Sequence, residues 1–137
     1  MIEPALALID FSSIAVGIEA ADAMVKRAQL DVIRTGTVQP GRYLVLIGGT
    51  VAEVQESLAT GRAVGGDSVL DHVFLPHVHA DVVTAIGGGR TEAPRDAVGV
   101  IETSTVAAAI RAADSGIKGA EVRLLEVRMA DGLGGKG

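Results

Sequence analysis

The apolar residues of this chain fall into two kinds of pattern: short runs, and stretches in which they recur every three or four positions. The short runs predict strands at residues 5–11, 30–34, 43–47 and 69–75. The helical spacing between them predicts two main helices and a last short helix at residues 77–86, ended by Gly87. The order β-α-β-β-α-β-α predicts an α+β fold of ferredoxin-like topology, with helices layered on one face of the sheet.

Capping residues mark where the two main helices begin. Ser12 and Ser13 precede the first helix, and Thr50 with Glu53 forms a capping box at the second. The first helix is expected to turn one apolar face to the core, namely Ile14, Ile18, Ala21 and Val25. The second helix is expected to end at Gly61 and to bury Val51, Val54 and Leu58.

The chain resembles itself at an offset of 92 positions. Over residues 5–33 this offset gives ten identities without a gap. Such a repeat predicts two copies of one structural unit. We expect a first domain at residues 1–87, a linker rich in Gly and Pro at 88–96, and an incomplete second domain at 97–137. The second domain is expected to hold only the first part of the unit, β-α-β, with its helix at residues 103–118.

Composition narrows the class of protein. The 137 residues are 48% hydrophobic but only 2% aromatic, which predicts a core of closely packed aliphatic side chains. No cysteine is present, which excludes a disulfide framework, a cysteine nucleophile and an iron–sulfur cluster held by thiolates. A net charge of −5 and the lack of a long apolar run indicate neither a nucleic-acid nor a membrane partner. We therefore expect a soluble cytoplasmic protein.

The histidines are the first candidates for chemistry. His72, His77 and His79, with Asp71 and Asp81 nearby, are of the types that bind zinc or iron. Their spacing points the side chains away from one another, so surface or interface histidines are the favoured interpretation. No metal site is expected, and a histidine-based metal hydrolase is the third-ranked function.

Two other features have both a catalytic and a structural interpretation. Asp10 and Glu102 occupy matched positions in the two copies, which suits general acid–base work but favours a structural role at the strand-to-helix corner. The Gly48-Gly49-Thr50 segment before a helix could cradle a phosphate. Because no lysine follows in the phosphate-loop register, a glycine turn that leads into a capped helix is favoured.

Several segments are similar, in the same order, to those of bacterial microcompartment shell proteins. They are residues 8–28, Pro40-Gly41-Arg42-Tyr43, residues 48–54 and Leu75-Pro76-His77-Val78-His79. With its repeat, the chain resembles the tandem-domain, trimer-forming class, and most closely the propanediol-utilisation subgroup. The resemblance implies a structural protein without catalysis. It also implies a homotrimer that imitates a hexamer, tiles edge to edge with other shell proteins and has a central pore for small metabolites.

The resemblance also implies roles for particular residues. The pore would be lined by two turns, comprising Val38, Gln39, Pro40 and Gly41 in the first copy and Asp131, Gly132, Leu133 and Gly134 in the second. Contacts at the disc edge would involve Lys26, Lys118 and His79, while His77 stands where many single-domain members carry Arg. The similar subgroup has a cysteine where this chain has Gln39, so an iron–sulfur cluster and other cofactors are not expected.

The second copy departs from the family pattern, because its third strand, second helix, fourth strand and last helix are missing from residues 97–137. We therefore expect a separate chain to complete the second domain. The expected location is the shell of a microcompartment in the cytoplasm. A ferredoxin-like regulatory module that binds small metabolites is the alternative function.

Overall fold

The computed structural model describes residues 5–88, 96–130 and 132–137. It is built on an antiparallel sheet with four strands, β1 (Ala5–Phe11), β2 (Val32–Val38), β3 (Arg42–Gly49) and β4 (Val69–Leu75). The strands lie in the order β2-β3-β1-β4, so that β1 and β2 each pair with β3 and not with each other. The predicted α+β fold is confirmed. Strand β2 begins two residues later than expected and continues to Val38, because its pairing with β3 reaches the turn between them. Strand β3 extends to Gly49 by pairing with β1.

Helices α1 (Ile14–Arg27) and α2 (Val51–Gly65) cover one face of the sheet. Ser13 caps α1 by accepting a hydrogen bond from the backbone N–H of Val16. The expected inward face of α1 is wrong except at Ala21, because Ile14, Ile18 and Val25 are exposed. Small residues and one methionine face the core instead, namely Gly17, Ala20, Ala21 and Met24.

Close packing explains why α1 uses small residues. A Cβ atom built at Gly17 would lie 2.7 Å from the ring of Tyr43, which leaves room only for glycine there. Gly61 has a similar role in the middle of α2, where an added Cβ would lie 2.8 Å from Cδ1 of Ile9. The expectation that Gly61 ends the helix is therefore wrong, and α2 continues to Gly65.

The other face of the sheet is covered by α3 (Ala80–Ile86) and α4 (Val106–Gly119), so the expectation of helices on one face is wrong. Every residue of β1 is buried, as an apolar run with both faces covered requires. His79 caps α3, which begins three residues later than expected. Helix α4 is the helix of the second copy, and it is capped by Thr105.

The residues on either side of α4 do not form the strands expected of the second copy. Residues 97–102 and 121–129 lie outside the sheet, and Val100 is 88% exposed although its repeat equivalent, Leu8, is fully buried. The strand order gives the reason. In the first copy β1 and β2 meet only through β3, and most of the equivalent third strand is not among residues 97–137. Most of the expected linker, residues 89–95, and residues 1–4 lie outside the described residues.

Candidate functional site: the two turns and the helix across the sheet

The first of the two candidate pore turns joins β2 to β3. Gln39, Pro40 and Gly41 are exposed, and the backbone N–H of Gly41 donates a hydrogen bond of 3.1 Å to the carbonyl of Val38. Gly41 has φ +93°, a conformation that favours glycine. The turn thus presents Gln39 to solvent.

The second candidate turn is built from glycines. Gly132, Gly134 and Gly135 all have positive φ, and Leu133 N–H donates a hydrogen bond of 2.8 Å to Ala130. Asp131, the remaining residue expected to line the pore from this copy, lies outside the described residues.

Backbone hydrogen bonds show that this glycine turn is the repeat equivalent of the first. In the first copy Val38 pairs with Arg42, and Phe11 pairs with Tyr43. In the second copy the Ala130 N–H donates a hydrogen bond of 3.0 Å to the Lys136 carbonyl. The backbone N–H groups of Thr103 and Gly137 each donate to the carbonyl of the other, at 2.8 and 3.2 Å. Lys136 and Gly137 therefore take the register positions that Arg42 and Tyr43 have in the first copy, although neither residue lies in a strand. Five residues separate Ala130 from Lys136 where three separate Val38 from Arg42, so the second turn is two residues longer.

Arg42 connects the two turns. Its Nη1 donates to the Gly135 carbonyl at 3.2 Å and lies 3.5 Å from Oδ2 of Asp10. Asp10 is fully buried, and its other oxygen, Oδ1, has no hydrogen-bond partner among the described residues. Burial raises the pKa of Asp10 to about 6, against the opposing effect of Arg42 and with a smaller contribution from Asp71. Arg42 and Asp10 were not expected to meet at the turns.

The start of α4 is attached to the same region. The Thr105 hydroxyl donates a hydrogen bond of 2.5 Å to Oδ2 of Asp71, which lies opposite Asp10 in the β1–β4 pairing. The same hydroxyl accepts from the backbone N–H of Ala108 and so caps the helix. A single side chain therefore fixes the N-terminus of α4 on the sheet of the first copy.

Two of the three expected disc-edge residues meet at the other end of this helix. Lys118 Nζ lies 2.7 Å from Oδ2 of Asp114 and donates to the His77 carbonyl at 2.5 Å. The backbone N–H of His79 donates 2.9 Å to the other oxygen of Asp114. Lys26 lies elsewhere and forms an exposed pair with Asp22 at 2.7 Å. Asp114, which sequence reasoning missed, is the buried residue that joins Lys118 to His79.

The histidines do not converge on a metal site. Residues 5–88, 96–130 and 132–137 contain no group of three or more His, Cys, Asp and Glu side chains arranged to hold an ion. Burial lowers the pKa of His72, with a further contribution from Arg62, and its carbonyl accepts a hydrogen bond from Arg111. Within these residues no helix is long and apolar enough to cross a membrane.

Comparison with known proteins accounts for this architecture. The BMC domain model matches residues 5–78 and again residues 97–136. The bacterial microcompartment shell protein PduT of Citrobacter freundii is 44% identical over 132 residues, covering 96% of this chain and 72% of that protein. The chain belongs to the BMC-domain family of microcompartment shell proteins. Its two matched segments make it a tandem-domain member, as the repeat predicts.

Other relatives agree with this assignment. The carboxysome shell protein CcmK2 of Thermosynechococcus vestitus is 34% identical over 88 residues, covering 60% of this shell protein and 86% of that one. A crystal structure of a microcompartment protein from Desulfitobacterium hafniense DCB has a TM-score of 0.82 and 46% identity, covering 96% of this chain and 73% of that chain. The protein is thus a structural component of a microcompartment shell and not an enzyme. The alternative, a regulatory module that binds metabolites, is not supported.

Proposed function

We propose that this shell protein forms a pseudohexameric trimer that tiles into the shell and encloses a central pore for small metabolites. The observation that carries the proposal is the seating of α4, the helix of the second copy, across the sheet of the first copy. This contact within one chain supplies a template for the contact between chains.

The repeat supports one surface of α1 as the contact for the neighbouring chain. Ile110 on α4 is fully buried against the sheet, whereas its equivalent on α1, Ile18, is 52% exposed. The same contrast holds between buried Val106 and exposed Ile14. Helix α1 therefore presents the apolar stripe that α4 uses, without a sheet beneath it.

Equivalent surfaces call for equivalent partners. If α4 covers the first-copy sheet of its own chain, α1 fits the second-copy sheet of the next chain. Alternating these two contacts gives a closed ring of six units from three chains, as heterologous contacts do when the rotation closes. The pair Asp22–Lys26 on α1 would then take the place that Asp114–Lys118 has on α4.

At the centre of such a ring we place the two turns. Val38, Gln39, Pro40 and Gly41 would alternate with Asp131, Gly132, Leu133 and Gly134 around the opening. The Gln39 amide and the exposed backbone of Gly132 and Gly134 suit small polar metabolites. Gln39 offers no thiolate, so we propose a pore without an iron–sulfur cluster. Lys26, Lys118 and His79 remain our candidates for contacts between discs, with Lys118 and His79 also serving the contact within the chain.

We further propose that a separate polypeptide completes the second copy by pairing with residues 97–102, which have no strand partner among the described residues. Three exposed apolar residues support this, Val98, Val100 and Ile101, because an aligned strand would bury them. Hydrogen exchange tests it: amides at residues 97–102 should exchange rapidly in the chain alone and slowly in assembled shells. Rapid exchange in both would contradict it.

Assembly is tested by light scattering after size exclusion and by negative-stain electron microscopy. We expect a species of three chains, discs with a central opening, and loss of both in Ile18→Glu. The matched control, Gln55→Glu, adds the same charge at an exposed position on α2 and should assemble normally. A folded monomer at every concentration, or normal assembly of Ile18→Glu, would overturn the trimer.

A further inference from the structure

Arg42 lies where the first pore turn enters β3, and it reaches across to the second. Its guanidinium donates to the Gly135 carbonyl at 3.2 Å and faces Oδ2 of Asp10 at 3.5 Å. The side chain of Arg42 is only 24% exposed, so both contacts are shielded from solvent. One guanidinium thus touches both the first-copy sheet and the second-copy turn.

Gly135 is shaped to receive this guanidinium. The residue is buried with φ +88°, and a Cβ built on it would lie 2.5 Å from Nη1 of Arg42 and 2.9 Å from Cζ. Any side chain at this position would push Arg42 away. The turn and the guanidinium therefore fit each other by close contact as well as by the hydrogen bond.

Asp10 supplies the negative charge behind the guanidinium. The charged groups that face it are Arg42 on β3 and Asp71 on β4. Asp71 is itself held by the Thr105 hydroxyl at the start of α4 and by the backbone N–H of His72. The glycine turn contributes only the Gly135 carbonyl. Arg42 is therefore the one cation that an ionised Asp10 meets among the described residues.

We propose that Arg42 and Asp10 form a clamp that holds the glycine turn, residues 132–135, in place, and that protonation of Asp10 loosens it. Its effect on a pore rests on the proposed function, but the clamp itself is a property of the folded chain. Arg42 and Asp10 are positioning residues and need not touch a metabolite.

The direction of the pH effect follows from burial. Burial raises the pKa of Asp10 to about 6, so the carboxylate is ionised at neutral pH and becomes neutral as the pH falls through that value. A charged carboxylate orients the guanidinium through a charge-assisted contact, which the neutral acid makes more weakly. The turn should therefore be held firmly above pH 6 and loosely below it.

The chain contains a matched control for this clamp. Glu102 is the repeat equivalent of Asp10, and Lys136 takes the place of Arg42, with 3.2 Å between Nζ and Oε2. Both side chains of this second pair are more than half exposed. Because solvent screens an exposed pair, Glu102→Gln should leave the glycine turn and its pH dependence unchanged.

Amide hydrogen exchange of the folded chain measures the turn directly. The probes are the Leu133 and Lys136 amides, which donate to Ala130 and to Leu133 within the turn. After correction for the intrinsic pH dependence, we expect their protection to fall by roughly tenfold between pH 7 and pH 5. Asp10→Asn should give the low protection at both pH values, and Arg42→Met should do the same.

The β1–β3 amides serve as the reference for folding. If Arg42→Met does not fold, the nearly isosteric Asp10→Asn still decides the question. A pH profile in Asp10→Asn equal to that of the parent chain, or the same loss in Glu102→Gln, would overturn the clamp. The readout needs no assembly, so a chain that fails to form trimers still tests it.

Discussion

Replacing Asp10 with Asn should stabilise the protein at neutral pH. This is expected although Asp10 is fully buried and the substitution removes its ion pair with Arg42. An ionised carboxylate inside the sheet has lost its hydration, and one of its oxygens has no partner among the described residues. The amide has nearly the same shape without the charge. The substitution therefore removes the free-energy cost of burying a charge and leaves the packing of β1 intact.

The magnitude follows from the raised pKa. Burial moves the pKa of Asp10 from 3.8 to about 6, and about 1.4 kcal/mol per unit gives roughly 3 kcal/mol as the upper estimate. Because the folded state binds the proton more tightly than the unfolded state, Asp10 destabilises the fold as the pH rises from 3.8 to about 6. Well above pH 6 the full penalty is present, and well below pH 3.8 it is absent.

Urea unfolding of the parent chain and Asp10→Asn at pH 4 and pH 7.5 checks the prediction. We expect a free energy of unfolding about 2–3 kcal/mol higher for the variant at pH 7.5, and a difference of about 0.6 kcal/mol or less at pH 4. The control Glu102→Gln should shift stability by less than about 0.5 kcal/mol at both values. A variant that is less stable at pH 7.5, or a difference independent of pH, would refute the reasoning. If Asp10→Asn is more stable overall and yet has a less protected glycine turn, then Asp10 holds the turn without stabilising the fold as a whole.

Three further predictions test the packing by the same unfolding assay. Ile110→Ala should lower the free energy of unfolding by about 2–5 kcal/mol and Ile18→Ala by less than about 1, since only Ile110 is buried; equal losses would contradict the seating of α4. Gly61→Ala should destabilise the fold by about 1–3 kcal/mol, because the added methyl group would meet the core. Gly116→Ala, which has open space around it, should stabilise the fold by about 0.5–1 kcal/mol. A neutral Gly61→Ala would contradict the tight helix contact. Thr105→Ala should lose about 1–2 kcal/mol with the helix cap, and no loss would show that α4 does not depend on it.

The strands of the first copy were predictable because each is marked by a local pattern of apolar residues, whereas their order in the sheet is not local. β1 and β4 are apolar runs with the predicted bounds, and Ser13 and Thr50 cap the helices that follow. The turn at residues 132–135 lies where the repeat places it, and its role at a pore stays a prediction. The joint contact of Arg42 with Asp10 and Gly135 was not predictable, because those residues are far apart along the chain and no periodicity relates them.

The face of α1 was predicted wrongly for an informative reason. Helical periodicity identifies an apolar stripe but does not say whether the stripe meets the sheet of its own unit or that of another. Helix α1 contacts the sheet of its own unit through Gly17, Ala20 and Met24. Glycine and alanine allow a close approach, and the flexible methionine fills the remaining space. The larger stripe that contains Ile18 is the one used by α4 between the copies. A helix with one face of small residues and another of larger apolar residues is typical of a unit that packs against its own sheet and against a neighbouring unit.

In the second copy an apolar pattern typical of a strand does not form one, because the strand it would pair with is absent from the described residues. Residues 97–102 carry the apolar pattern of β1, yet they form no strand, because strand pairing is not a local property. In this fold the first two strands of a unit never pair with each other, so neither can be ordered by the other. The hydrogen bonds of Thr103 with Gly137 and of Ala130 with Lys136 place residues 136 and 137 between the two segments. Any strand that extends this register will meet both flanking segments at once, so the sheet of the second copy should form cooperatively and in a single register.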